Sequence, residues 1–154
     1  MIIYPYAQIE GELDYPEGAD GDIYDGCKIF VDLKLGENVH ISTGVKMIGK
    51  EAVEIGKNST ISPNVVIYTS MPEIRPNGKN KYCPHHKPKL GKVEIGDDVY
   101  IGANSVIGHG VKIADGVVIG ANSMVTESID EPYTFWAGNP AKKVKPLAKP
   151  DGFN

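Results

Sequence analysis

Four histidines carry all the imidazole of this 154-residue chain: His40, His85, His86 and His109. Imidazole titrates near neutrality, so each is a candidate to take the proton of an attacking hydroxyl or amine. Two are neighbours in CPHHKPKL, residues 83–90, which also holds one of the two cysteines. Cys83 beside His85 invites a thiol-nucleophile reading, but nothing in the sequence positions the thiol. Adjacent His85 and His86 lack the spacing of a zinc-binding pair, and no metal ligand set is expected. Cys27 and Cys83 stand apart with no CxxC spacing, which indicates neither a zinc ribbon nor a disulfide framework and suits a reducing compartment.

What must position these groups is a repeat with a period of six. From the end where it is cleanest, Ile95, Ile101, Ile107, Ile113, Ile119 and Val125 fall six apart. Four residues after each lead comes a small or β-branched residue: Val99, Ser105, Val111, Val117 and Ser123. Ile55, Ile61 and Ile67 continue the period, as do Ile23, Ile29, Leu35, Ile41 and Met47, and then Ile3, Ile9 and Tyr15. At 41% hydrophobic content, such a run from Ile23 onward arises by chance with a probability on the order of 10⁻⁶. A strand alternates faces residue by residue, so a short strand and a tight corner bury one large and one small side chain per unit. Gly, Asn and Asp at the corners accept positive φ. Three units make a triangular coil, and coils stack as parallel strands with Ile on Ile. An all-β prism of 5–6 coils, roughly 27 Å tall, is expected.

Counting by threes puts Ile3, Ile23, Ile41, Ile61, Ile101 and Ile119 on one face. Ile9, Ile29, Met47, Ile67, Ile107 and Val125 form the second, and Tyr15, Leu35, Ile55, Ile95 and Ile113 the third. The register breaks widely only between Ile67 and Ile95. There an excursion over about residues 73–94 leaves the corner between the second and third faces, carrying Arg75, Tyr82, Cys83, His85 and His86. Loops of that length are usually functional or disordered, and a functional one is expected. His109 falls at the same corner one coil further on, with Thr69 before it and Glu127 after it. A carboxylate there would orient the imidazole. His40 falls elsewhere and carries no assigned role. After the coil the period is abandoned, Pro132 ends the last strand, and residues 131–154 read as a short tail.

The six-residue Ile-Gly-x-x-Ser/Val pattern resembles the left-handed parallel β-helix of the hexapeptide-repeat acyltransferases over roughly residues 3–130. AGNPAKKVK, residues 137–145, and IGANSMVTES, residues 119–128, are similar to the closing segment and the IGAxSVVTKD run of the sugar and antibiotic acetyltransferases in that superfamily. By that resemblance Ala103, Ala121 and Thr126 line the pantetheine arm of acetyl-CoA, while Lys142 and Lys143 meet its phosphates as point charges. Glu127 stands where the relatives have Lys. Those relatives carry their base just after a Tyr-Thr-x-x-His-Pro stretch, and the matching YTSMPE, residues 68–73, has no His. His85 and His86 are instead similar in placement to the His-Pro-Lys-Ile loop of the serine acetyltransferases. His109 matches the place of their base, in an Asp-His-Gly stretch.

The resemblance implies an acetyl-CoA-dependent acetyltransferase with a hydroxyl, less an amine, of a sugar or nucleotide-sugar as acceptor. His85, His86 or His109 is then the general base, backbone amides hold the oxyanion, and a homotrimer places the sites between prisms. Two alternatives are a non-catalytic β-helix scaffold or binding module and a zinc hydratase like the γ-class carbonic anhydrases. Composition narrows the field independently. A charge of −4 with pI near 5.5 has the wrong sign for a nucleic-acid footprint, and 18 Gly with 11 Pro disfavour long helices. No apolar run is long enough to span a bilayer, and the start lacks a leader's basic and apolar regions, so a cytoplasmic location is expected.

Overall fold

The computed structural model describes residues 1–72 and 88–150, and every regular element among them is a strand. The strands stack into three parallel sheets that wall a left-handed β-helix of about six turns. In the first, Ile2–Ile3, Gly21–Ile23, Val39–Ile41, Thr60–Ile61, Tyr100–Ile101 and Val118–Ile119 follow one another coil by coil. The second stacks Gln8–Ile9, Lys28–Phe30, Lys46–Ile48, Val66–Tyr68, Val106–Ile107 and Met124–Val125. The third stacks Leu13–Asp14, Leu33–Leu35, Val53–Ile55, Val93–Ile95 and Lys112–Ile113.

Register is lead on lead, as the period requires: Ile23 pairs with Ile41, Ile41 with Ile61, Ile61 with Ile101, and Ile101 with Ile119. These side chains are buried, as are Val99, Ser105, Val111, Val117 and Ser123 four residues after the leads. Each buried Ile contributes about 1.5–3 kcal/mol relative to exposure, so the stacked column is the main source of cohesion. Asn38, Asn58 and Asp98 turn one corner with φ between 54° and 56°, and Asn64, Asn104 and Asn122 turn another with φ between 57° and 60°. Left-handed backbone suits Asn and Asp, whose short polar side chains bond locally. Here they bond up the prism: the Asn38 amide donates to Asn58 Oδ1 at 3.2 Å and the Asn58 amide to Asp98 Oδ1 at 3.0 Å.

Four expectations change. Tyr15 falls just past its strand and stays exposed, and Ile3 is only partly covered at the lower end. The excursion starts earlier and ends earlier than residues 73–94, because Ser70–Met71 pairs antiparallel with Lys89–Leu90 and Val93 is already paired with Val53. Nor is 131–154 a plain tail. Ile129 bridges to Ile113, and Thr134–Ala137 adds a parallel strand to the first sheet with Trp136 opposite Ile119. Lys142–Pro146 then returns antiparallel to it. Among the described residues no helix is long and apolar enough to cross a membrane.

Candidate functional site

The excursion is anchored at the corner between the second and third sheets. Thr69 is buried, its Oγ1 accepting the Glu51 amide at 3.0 Å. Its carbonyl accepts the Gly91 amide at 2.9 Å, and the Gly91 carbonyl accepts the Gly110 amide, also at 2.9 Å. Gly91 has to be glycine, since a Cβ there would lie 2.6 Å from the Gly110 backbone. His109 therefore sits one coil above the point where the excursion rejoins the prism, as the face count predicts. It is half-buried. Pairing of Ile67 with Ile107 sets Tyr68 beside Gly108, and the tyrosine ring reaches the imidazole with centroids 6.2 Å apart. Glu127, one coil further on, is exposed, and among the described residues no hydrogen bond joins it to His109. His85, His86, Cys83, Arg75 and Tyr82 lie outside the described residues.

The residues assigned to the acyl donor divide between two places. Ala103 and Ala121 stack at the corner between the first and second sheets, where the Asn122 amide donates to the Ala103 carbonyl at 2.9 Å. They follow Gly102 and Gly120, and a Cβ on Gly102 would come 2.5 Å from the Ala121 nitrogen. The result is a wall of bare backbone and methyl groups. Thr126 and Lys142 meet at the upper end, in a pocket of about 180 Å³ shared with Trp136 and Pro140. The returning chain makes that pocket, because Ala141 and Gly138 hydrogen-bond to Met124 as a further rung. Lys143 is exposed and paired with Glu131, so it offers less free charge than Lys142.

One arrangement escaped the sequence reading. His40 Nδ1 lies 2.9 Å from Asp22 Oδ2, and Nε2 lies 3.1 Å from Asn38 Oδ1. His40 is thus an imidazole held by a carboxylate, although it carried no assigned role. The signal was present: Asp22 and His40 each immediately precede a lead, 18 residues apart, so the period itself stacks them. The third sheet presents charge already paired, with Lys92 on Glu54 at 2.8 Å and Lys112 on Glu94 at 3.0 Å. Burial pushes the Cys27 thiol up, and it donates to the Ser42 carbonyl, which leaves it inert. Among the described residues no group of three or more His, Cys, Asp or Glu side chains gathers around a metal-sized space.

Residues 92–127 match the family model described as bacterial transferase hexapeptide (six repeats). The chain is a hexapeptide-repeat β-helix. A protein of Dictyostelium discoideum that bears the name acetyltransferase is 40% identical over 116 residues, 75% of this chain and 58% of that protein. This hexapeptide-repeat chain therefore spans little more than half the length of that relative. Among solved structures, AntD, an N-acyltransferase from Bacillus cereus in complex with dTDP and 3-hydroxybutyryl-CoA, is 28% identical. The match has a TM-score of 0.81 and covers 96% of this chain and 80% of AntD. A maltose O-acetyltransferase from Clostridium difficile is also 28% identical, with a TM-score of 0.57 over 97% of this chain and 68% of that one.

Proposed function

We propose that the chain is an acyl-CoA-dependent acyltransferase, with acetyl-CoA as donor and a sugar or nucleotide-sugar as acceptor. The observation that carries this reading is the match to AntD, an acyltransferase in complex with an acyl-CoA and dTDP, over 96% of the chain. The residues present fit the donor. Ala121 is exposed and Ala103 half-buried beside a wall with no large side chains, and pantetheine amides pair with backbone groups along such a wall. Lys142, beside Thr126 in the upper pocket, supplies a point charge for phosphate.

The thioester supplies an activated acyl group when the donor is bound. His109 takes the acceptor's proton as the acceptor oxygen or nitrogen attacks, and later returns a proton to the departing thiolate. Tyr68 limits the imidazole's freedom from one side. His85 and His86, in the excursion, are the other imidazoles proposed to hold or activate the acceptor. A hydroxyl is proposed as the attacking group ahead of an amine, and the similar structures include both an N-acyltransferase and a maltose O-acetyltransferase. A homotrimer is part of the proposal, with each site completed by a neighbouring prism. Activity lost on dissociation supports it; full activity in a monomeric preparation overturns it.

The deciding experiment is isothermal titration with acetyl-CoA followed by mass spectrometry of turnover against sugars, amino sugars and nucleotide-sugars. Binding with transfer to one class supports the reading. No affinity for acetyl-CoA leaves the scaffold reading, which the absence of His from residues 68–73 favours.

A further inference from the structure

The first sheet has a second chemical end that the proposed reaction does not use. Its outer row runs Asp22, His40, Thr60, Tyr100 and Val118, one residue per coil in register. Two residues beyond Asp22, Tyr24 stacks on Tyr4 with ring centroids 4.7 Å apart and planes 11° from parallel. Asp22 is the leading reason why the Tyr24 phenol is held above its ordinary range, so carboxylate and ring belong to one surface. Above the tyrosines the row shrinks to Ser42, Ser62, Gly102 and Gly120, each donating its amide to the lead of the next coil, the last to Trp136.

That strip ends beside Ala103 and Ala121. From the His40 rung to the Val118 rung is three strand spacings, about 14 Å, so the lower end of the strip stands apart from the donor wall.

We propose that Asp22, His40 and the Tyr4–Tyr24 stack form a subsite on the first sheet for a pyranose ring, apart from the corner that carries His109. A tyrosine face packs against the apolar C–H face of a sugar, and Tyr24 remains 37% exposed to receive one. Asp22 offers its other carboxylate oxygen to ring hydroxyls, while His40, with both ring nitrogens engaged, fixes that carboxylate before any ligand arrives. Each holds the other, and Asn38 continues the hold through Asn58 to Asp98. Groups fixed in advance lose little entropy on binding. Charge decides which part of a nucleotide-sugar belongs here: a carboxylate repels a diphosphate and accepts from hydroxyls, so the subsite takes the sugar ring.

The inference rests on the sugar-acceptor reading above, and one experiment separates the two. Saturation-transfer NMR is run on the whole chain with maltose and, separately, with dTDP, for wild type, Tyr24→Ala, Asp22→Asn and a control, Lys112→Ala. Transfer to maltose ring protons is expected, with Kd weakened about tenfold in Tyr24→Ala and Asp22→Asn, the scale of one lost aromatic or charge-assisted contact. Lys112→Ala is expected to match wild type. Undiminished transfer in both test variants, or transfer to dTDP with none to maltose, or none to either, overturns the subsite. Acetyl-CoA affinity, measured by calorimetry on the same variants, is expected to stay unchanged. A chain that binds maltose through Tyr24 but has no affinity for acetyl-CoA retains the subsite and loses the acyl-transfer reading.

Discussion

The Tyr68 ring and the His109 imidazole meet across adjacent coils, with centroids 6.2 Å apart and planes tilted by 60°. The contact sits where the excursion rejoins the prism, so a change in either residue reports on the chemistry proposed for that corner. His109→Ala is expected to lower kcat about 10²–10⁴-fold, the range lost with a general base. Tyr68→Phe, which keeps the ring, is expected to lie within a few-fold of wild type. Steady-state kinetics with the acceptor found by screening check both. An unchanged rate in His109→Ala moves the proton transfer to the histidines of the excursion.

Gly91 couples the excursion to that same corner. Gly91→Ala puts a methyl group 2.6 Å from the Gly110 backbone, where no flexible side chain can give way. A loss of about 1–3 kcal/mol is expected, together with reduced turnover because His109 precedes the displaced residue. Urea unfolding and kinetics on the same preparation test the pairing of effects.

Cohesion of the prism is expected to reside in the buried leads and not in the outward positions beside them. Ile101 is fully buried between Ile61 and Ile119, whereas Ile2 is 59% exposed. Ile101→Ala should cost about 2–5 kcal/mol and Ile2→Ala under about 0.5 kcal/mol, read from denaturant midpoints. Similar losses from both would mean that stability does not reside in the stacked column.

The leads from Ile23 to Val125 were legible because a prism of stacked coils repeats one burial pattern in every unit. The upper end was not, for a geometric reason. Ile119 and Trp136 pair although their separation is one residue short of the 18 that a regular coil requires, and Ile129 comes four residues after Val125 instead of six. Aromatic Phe135 and Trp136 beyond Pro132 also lack the Ile-Gly signature. The Asp22–His40 pair obeys the same 18-residue spacing, but it lies on outward positions, where the burial pattern that marks the leads is absent. Pairing of Lys143 with Glu131 depends on a returning strand that no period announces.

Charge on the third sheet gives a signed pH prediction. The hydrogen bond from Lys112 holds Glu94 below the ordinary carboxylate range, with Lys92 adding to it and burial opposing. A depressed folded pKa contributes stability above the unfolded value, near 4.3, and that stability is lost as pH falls through the folded value. Lys112→Ala should therefore flatten the acid limb of the stability profile below about pH 4, by under about 1 kcal/mol for so exposed a pair. Salt should shrink the difference, as urea midpoints at two ionic strengths would register.

Tyr24 provides an alkaline counterpart. Its phenol is held above the usual range by Asp22 first, then by Tyr4. Ultraviolet titration of the eight tyrosines should lose one high-pH component in Tyr24→Phe, and Asp22→Asn should move that component to lower pH. A component that ignores Asp22→Asn would break the link between the carboxylate and the ring.

The base of the excursion holds a consequence for how such a chain can diversify. Ser70–Met71 zips to Lys89–Leu90, and Gly91 hydrogen-bonds directly to Thr69, so the winding resumes as if nothing had been inserted. Everything beyond that zipper is a cassette. Doubling a closed loop's length adds only about 0.6 kcal/mol of closure cost, and no stacked lead lies between Met71 and Lys89. Exchange of the cassette between Met71 and Lys89 would therefore leave the stacked leads and the Thr69–Gly91 junction in place.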